Sequence, residues 1–179
     1  MSKAPVADLK QVQITGKNLL LDQATISLAL VYYQRFILSH PLAITVPPAL
    51  RSATCLYVAA KARETVLPLS KLKNQQAIVV LEYYLLQALD YKVLIDTAYK
   101  PLAMFAKHIG LDTTTLQMCW YVINDFYLTR AVLDYSPHII ALASIHLVTD
   151  IDLTDINSNF TLVVECAGIL LNHYRELAG

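Results

Sequence analysis

The sequence predicts an all-α protein, and three features of it lead to that prediction. Glycine, which weakens helices, occurs only four times in 179 residues. The seven prolines fall between apolar blocks, where they punctuate helices instead of interrupting them. Within the blocks, apolar residues recur at the i, i+3, i+4, i+7 spacing of a helix face, and no confident strand pattern is present.

Four helices are predicted in the first half of the chain. Gly16 is a weak point in the first helix, and Pro47 and Pro48 stand at the entry of the third, where a missing N–H costs nothing. The fourth is apolar on two sides, so one side is expected in the core and the other against a partner. The predicted ranges are Val6–Leu20, Gln23–Leu38, Ala49–Glu64 and Asn74–Tyr91.

Four more helices are predicted after a connector over Val93–Tyr99. Asp112 and Ser136 each precede a helical block and have the side chains of good N-caps. The predicted ranges are Lys100–Ile109, Thr113–Leu128, Pro137–Thr149 and Asn159–Leu177.

An internal repeat divides the chain. Sliding 30–59 forward by 90 residues onto 120–149 aligns Phe36 with Phe126, Pro47 with Pro137 and most other apolar positions with apolar ones. Two copies of one helical unit are therefore predicted, each with its own core. We expect a flexible N-terminus over 1–5, a first unit over 6–95 and a second over 96–179.

Composition excludes several classes of function. The 14 Lys+Arg balance 14 Asp+Glu, so a basic face for nucleic acid is not expected. Three widely spaced cysteines, Cys55, Cys119 and Cys166, indicate reduced core thiols and no disulfide or zinc framework. We expect no signal peptide and no transmembrane span, because neither an h-region nor a long uncharged apolar stretch occurs.

Enzymatic motifs are also missing from the sequence. It has no glycine-rich phosphate loop, no G-x-S-x-G, no H-E-x-x-H and no C-x-x-C. The five histidines are scattered, so no metal site is predicted. We therefore expect a protein that is not an enzyme and carries no cofactor.

Two charged residues stand out among the apolar helices. Glu82 lies inside an apolar run, and a carboxylate placed there needs a partner because burying it unpaired is costly. Lys61 lies near the end of the predicted third helix and is the expected partner where the two helices pack. The ordinary alternative is that Lys61 only compensates the dipole of its own helix.

The residues around this pair resemble the cyclins. Ala53–Glu64 is similar to the family's A-[AS]-K-x-x-E signature, and Leu81–Tyr91 is similar to its fifth helix and exit. Ala98–Leu102, Trp120–Thr129 and Tyr135–Ala143 resemble the PYRPL, W-x-x-x-N-D-x-Y-x-T and YPPxxIALA motifs of the transcriptional cyclins. The combination resembles the cyclin C group most, with the cyclin H group as competitor, and covers about 16–176.

This resemblance implies a cyclin fold of two tandem five-helix repeats and a regulatory subunit that binds and activates a cyclin-dependent kinase. It implies a nuclear protein of RNA polymerase II transcription, in a Mediator kinase module and with Mediator subunits as further partners. Lys and Glu at the positions of Lys61 and Glu82 hold main-chain groups near the kinase C-helix in this family. The kinase-binding residues that it implies are Lys61, Ala62, Glu64, Glu82, Leu86, Tyr91 and Val93.

Three departures and three alternatives accompany the resemblance. Arg63 stands where the family often has an acid, we expect no extra leading helix before Val6, and the MRAIL substrate patch is missing. The alternatives are a cyclin H-like subunit of the TFIIH and activating kinase, a DNA-binding factor of the TFIIB type, and a cyclin-fold scaffold that binds no kinase. A basic face would favour the TFIIB type.

Overall fold

A computed structural model describes residues 4–151, 153 and 160–178. These residues form helices and connecting turns and contain no strand, which confirms the all-α prediction. The chain divides into two compact units, Met1–Ile95 and Asp96–Gly179. Of the N-terminal segment predicted to be flexible, 1–3 lie outside the described residues, and Pro5 is the residue before the first helix.

The first unit is built around one helix that is buried on nearly every side. This helix, α2, packs against the other three, and only an element that is apolar all round fits such a position. One-turn 3-10 segments lie over Pro41–Ile44 and Leu69–Lys71. The α-helices of this unit are α1 Val6–Asn18, α2 Gln23–Ser39, α3 Pro48–Ala62 and α4 Gln75–Ala88.

A buried ion pair ties α1 to α3. The guanidinium Nη2 of Arg51 lies 3.1 Å from Oδ2 of Asp8, and its Nη1 donates to the carbonyl of Ala43 at 2.8 Å. The hydroxyl of Tyr33 donates to the same Asp8 oxygen at 2.7 Å, which adds α2 to the network. Burial and the neighbouring Asp8 raise the pKa of Tyr33, so it stays a neutral donor. Nothing in the sequence pattern predicted this pairing.

The second unit is centred on α8, which contacts the other helices of the unit. Asp112 accepts hydrogen bonds from the Thr114 and Thr115 amides, and Ser136 accepts one from the Ile139 amide. The two predicted N-caps are thereby confirmed. The helices of this unit are α5 Tyr99–Ile109, α6 Thr113–Phe126, α7 Ala131–Asp134, α8 Pro137–Val148 and α9 Phe160–Ala178.

The 90-residue repeat corresponds to a repeated helix pair. Phe36 of α2 and Phe126 of α6 are both fully buried, and Pro47 and Pro137 stand at the starts of α3 and α8. In each unit the two helices of the pair pack on one another. The repeat therefore reflects one packing arrangement used twice.

The helix boundaries differ from the predictions by a few residues, and α7 was not predicted. The sequence suggested that α6 continues to Leu128, but Thr129 turns the chain after Phe126. Its hydroxyl donates to the Phe126 carbonyl at 2.8 Å and accepts from the Ala131 amide at 3.2 Å. The predicted start of α9, Asn159, lies outside the described residues.

The resemblance predicted five helices in each unit, and the two units differ in how they reach that number. The second unit has five α-helices in its described residues, whereas the first has four and reaches five only with a 3-10 turn such as Leu69–Lys71. In the described part of the chain, none of the helices combines the length and apolar character needed to cross a membrane.

Candidate functional site

The structure brings Lys61 and Glu82 together. Lys61 is in the last turn of α3 and Glu82 in the middle of α4, and these two helices pack on one another. The Lys61 Nζ lies 2.5 Å from Oε1 of Glu82 and 5.2 Å from the centroid of the Tyr57 ring. The Lys61 side chain is 53% exposed and that of Glu82 16%. The carboxylate inside the apolar run is therefore paired with an ammonium group that still faces solvent.

Backbone hydrogen bonds of the C-terminal turn of α3 fix the position of Lys61. Glu64 has a left-handed backbone (φ 55°), which turns the chain back so that the Thr65 amide donates to the Ala60 carbonyl at 2.8 Å. The Glu64 amide donates to the Lys61 carbonyl at 3.1 Å. Ala62 is half-buried in this turn, and the Glu64 side chain is exposed.

The C-terminus of α4 ends in the same kind of turn, with left-handed residues and a backbone hydrogen bond that returns to the last turn of the helix. Asp90 and Tyr91 are both left-handed, with φ of 51° and 58°, and the Tyr91 amide donates to the Leu86 carbonyl at 2.9 Å. Val93 follows, and its carbonyl accepts a hydrogen bond from the Tyr32 hydroxyl of α2. Leu86 and Val93 are half-buried, and Tyr91 is exposed. The segment leaving α4 is thus bound to the core helix.

The two apolar faces predicted for the last helix of the first unit are confirmed. Ile78, Leu81 and Leu85 are buried in the core, whereas Val79, Val80 and Tyr83 are each more than half exposed. The exposed face carries Glu82 and Leu86 as well. Val79, Val80 and Tyr83 are not among the predicted binding residues, although the apolar spacing within this helix is a signal that could have included them.

Arg63 does not point to an outside partner. Its Nε donates to the Thr25 hydroxyl at 3.1 Å, and its Nη2 lies 3.7 Å from Oδ1 of Asp22. Asp22 is the N-cap of α2 and accepts a hydrogen bond from the Thr25 amide at 2.9 Å. Where the family often has an acid, this chain therefore has a link between the end of α3 and the start of α2.

The cysteine thiols are not activated nucleophiles. All three are buried, and burial raises the pKa of Cys119 to about 11 and that of Cys166 to about 12. The pKa of Cys55 is raised further by complete burial. Among the described residues, no group of three His, Cys, Asp or Glu side chains is placed to hold a metal ion.

Curated relatives of the chain are cyclins. It is 28% identical over 194 residues to Cyclin-C of Rattus norvegicus, and the aligned region covers 92% of this chain and 69% of that protein. For Cyclin-C of Drosophila melanogaster the identity is 29% over 158 residues, covering 76% of this chain and only 59% of that protein. Cyclin-C1-1 of Arabidopsis thaliana is 26% identical over 183 residues, with coverage of 90% and 72%. No protein-family model matches the chain.

Solved structures show the same fold. A chain of the yeast TFIIK complex superposes with a TM-score of 0.77 at 22% identity, covering 92% of this chain and 84% of that one. A chain of the CAK complex of Chaetomium thermophilum gives a TM-score of 0.81 at 15% identity, with coverage of 93% and 61%. The yeast RNA polymerase II CTD kinase CTDK-1 complex gives 0.74 at 16% identity, with coverage of 94% and 64%. The predicted cyclin fold is confirmed.

The motifs around Lys61, Glu82 and Trp120 first suggested a resemblance to the cyclins, and the curated relatives carry the name cyclin-C. The repeated helix pair and the structural neighbours agree with the fold of that family. The chain is therefore similar to the cyclins, and among them to cyclin C.

Proposed function

We propose that this chain is a regulatory subunit that binds and activates a cyclin-dependent protein kinase acting in RNA polymerase II transcription. The curated relatives support this, since those compared above are named cyclin-C. The structural neighbours belong to the TFIIK, CAK and CTDK-1 complexes, whose fold the chain shares.

The kinase-contact surface is proposed at the ends of α3 and α4. The observation that carries the proposal is the Lys61–Glu82 pair, which lies beside the exposed apolar face of α4. In the proposed complex, the ammonium and carboxylate hold main-chain groups near the kinase C-helix, and Glu64 forms the charged edge. The apolar contacts come from Ala62, Leu86, Tyr91 and Val93.

The activation mechanism follows from a preformed surface. A kinase whose C-helix is swung out lacks its catalytic Lys–Glu pair, and a partner that binds the swung-in state better shifts the population toward it. The closed ends of α3 and α4 and the bond from Tyr32 to Val93 hold the surface in place before binding. Binding energy is then not lost in ordering the surface.

The proposed location and further partners of the chain rest on the same relatives. We propose a nuclear, non-catalytic subunit of a Mediator-type kinase module, with Mediator subunits as further partners. Neither nucleic acid nor a cofactor is part of the proposed role. A cyclin H-like role is the second outcome to be distinguished, because two of the structural neighbours belong to TFIIK and CAK complexes.

Co-purification tests the function. The tagged chain is isolated from cells of its source, its bound proteins are identified by mass spectrometry, and the eluate is assayed on a polymerase carboxy-terminal-domain peptide. We expect one cyclin-dependent kinase in stoichiometric amount, with activity that depends on the chain. If no such kinase is recovered, the proposed function is wrong. Recovery together with other TFIIH kinase subunits would assign the cyclin H-like role instead.

Substitutions test the site separately. Lys61→Ala and Glu82→Ala are compared with Lys107→Ala, an exposed lysine in the last turn of α5, and Glu165→Ala, an exposed glutamate of α9. We expect the first two to reduce kinase recovery and activity and the matched pair to leave both intact. Normal recovery with all four variants would show that the kinase binds elsewhere on the chain.

A further inference from the structure

Two buried hydroxyl groups of α2 are directed toward the two ends of the proposed kinase-contact surface. The side chains that carry them, Thr25 and Tyr32, are each 0% exposed. They are seven residues apart, or close to two helical turns, so they lie on one stripe of α2 about 10 Å apart along its axis. One stripe of the core helix can therefore reach both helix ends that carry contact residues.

The first hydroxyl, that of Thr25, connects to the C-terminal end of α3. Thr25 Oγ1 accepts a hydrogen bond from Nε of Arg63 at 3.1 Å and donates to Oδ2 of Asp22 at 2.7 Å. Nη2 of Arg63 lies 3.7 Å from Oδ1 of the same carboxylate. Arg63 stands between Lys61 and Glu64, so this network ties to α2 the turn that carries both charged contact residues of α3.

The second hydroxyl, that of Tyr32, connects to the segment that leaves α4. It donates to the carbonyl of Val93, and burial raises the pKa of Tyr32, so the hydroxyl remains a protonated donor. Val93 follows Tyr91 closely in the chain, and both belong to the proposed kinase-contact surface. The hydrogen bond therefore fixes the other end of that surface to the same helix.

The stripe continues to Ser39 at the end of α2, again seven residues further along. Its Oγ lies 3.1 Å from the carbonyl of Ala88, the last residue of α4, and 2.6 Å from the carbonyl of Arg35 in α2. Because a hydroxyl has one hydrogen to donate, this contact with α4 is the weakest of the three. Along its length, α2 thus contacts the end of α3, the segment that leaves α4 and the end of α4.

The bonds of Thr25 and Tyr32 differ from those that only stabilise a single helix. Each joins α2 to a group outside α2, and the groups reached lie beside residues proposed to contact the kinase. Neither side chain can touch a kinase, because both are enclosed in the first unit. Any effect of the two hydroxyls on binding therefore passes through the position of the surface. A surface that is already ordered loses no binding energy in becoming ordered.

We propose that Thr25 and Tyr32 are positioning residues of the kinase-contact surface, which hold its two ends in place before the kinase binds. The inference rests on the proposed function. Removing both hydroxyls leaves the contact residues themselves unchanged but lets the end of α3 and the segment after α4 move. The kinase must then order the two ends as it binds, and its affinity falls while the bound complex stays the same.

Paired isosteric variants test the proposal in the whole chain. Thr25→Val/Tyr32→Phe is compared with Thr54→Val/Tyr33→Phe, which removes the same two groups from side chains that are at most 1% exposed. In this control the lost bonds run within α3 and to Asp8 of α1. Urea denaturation should show at least as large a loss of stability in the control. If the first variant does not fold, Tyr32→Phe is compared with Tyr33→Phe, and about a three-fold effect is expected.

Kinase activation gives the main comparison. The kinase that co-purifies with the chain is expressed without it and is activated by increasing concentrations of each variant. We expect Thr25→Val/Tyr32→Phe to raise the concentration for half-maximal activation about ten-fold and to leave the maximal rate within about two-fold of wild type. The control should match wild type within about two-fold in both quantities.

Amide hydrogen exchange in the free chain measures the positioning itself. The Thr65 and Tyr91 amides close the turns at the ends of α3 and α4, so their exchange rates report how often those turns open. We expect both amides to exchange about ten-fold faster in the first double variant than in the control. A change in overall stability alone would not produce this order, because the control loses at least as much stability.

Equal activation curves for the two double variants, or equal exchange at Thr65 and Tyr91, would overturn the inference and leave the proposed function intact. A lower maximal rate at saturating concentration would also overturn it, because the hydroxyls would then shape the bound complex and not the free surface. Recovery of no kinase with the wild-type chain would instead reject the proposed function, and this inference with it.

Discussion

Nη2 of Arg51 lies 3.1 Å from Oδ2 of Asp8, and the two side chains are only 7% and 16% exposed. Tyr33 donates to the same carboxylate and lies under the guanidinium, 5.1 Å from it. Because a charge buried in this way is stable only with its partner, α1, α2 and α3 are held together by one electrostatic unit.

Removing the guanidinium should therefore destabilise the protein strongly. We expect Arg51→Met to lower the free energy of unfolding by about 3 kcal/mol, because Asp8 keeps its charge but loses its cation. Urea denaturation followed by circular dichroism measures the change. The control is Arg130→Met, which breaks the exposed Arg130–Asp134 pair and should cost no more than about 0.5 kcal/mol. Equal losses in the two variants would contradict the argument.

The two helical glycines Gly16 and Gly168 should respond oppositely to alanine. A Cβ at Gly16 would lie 2.6 Å from Ile26 Cγ1 and 3.1 Å from Leu56 Cδ2, whereas one at Gly168 meets nothing within 4 Å. We expect Gly16→Ala to destabilise by about 1–2 kcal/mol, since overpacking outweighs the better helix propensity. Gly168→Ala should stabilise by about 0.5–1 kcal/mol. Thermal and urea unfolding measure both, and stabilisation by both substitutions would rule out the close packing at Gly16.

Asp22 should contribute stability that disappears in acid. Burial alone would raise its pKa, but hydrogen bonds from Thr25 and the nearby Arg63 outweigh burial and hold the pKa below its usual 3.8. Since the folded pKa is lowered, the contribution is present above about pH 4 and is lost as the pH falls through the lowered pKa. We expect Asp22→Ala to cost about 1 kcal/mol near neutral pH. The exposed contact with Arg63 adds little to that cost.

Urea denaturation at neutral pH and in acid separates ionisation from capping. Asp22→Asn keeps a capping oxygen but cannot ionise, so its difference from wild type should shrink toward zero in acid. A difference that stays constant with pH would show that the ionised carboxylate contributes nothing.

Lys61→Ala should separate stability from binding. Lys61 is 53% exposed, but its loss leaves Glu82, which is only 16% exposed, without a cation, so the free energy of unfolding should fall by about 1 kcal/mol, less than for the buried Arg51. In the proposed complex the same change leaves buried partners unpaired and costs about 2–5 kcal/mol of binding. The expected loss of kinase affinity is therefore about 30-fold or more. Calorimetric titration with the recovered kinase and urea unfolding of the free chain provide the two measurements. A large loss of stability with unchanged affinity would make the pair structural.

Local pattern was enough to predict the helices and their approximate ends. The spacing of apolar residues, the prolines at helix starts and the caps at Asp112 and Ser136 act over a few residues, so the sequence displays them directly. The two faces of α4 and the pairing of Glu82 with Lys61 could also be expected, because a carboxylate in an apolar run needs a cation.

Other features depend on residues far apart in the chain. Asp8 meets Arg51 across 43 positions, Tyr32 meets Val93 across 61, and Arg63 reaches back to Thr25 across 38. No local sequence pattern distinguishes Asp8, Tyr32 or Arg63 from other polar residues. The packing of the helices within one unit determines the partner of each. Gly16 illustrates the same limit, since its role comes from Ile26 and Leu56 and not from its own helix.

The amino-acid sequence by itself determined the helical class, the repeated helix pair and the family resemblance, because these follow from periodicity and from motifs read along the chain. Only the tertiary structure decided which charges are paired, where the Arg63 side chain is directed, and how closely Gly16 packs against Ile26 and Leu56. Electrostatic pairing and close packing depend on distances through space, and the chain sets those only when its helices have packed.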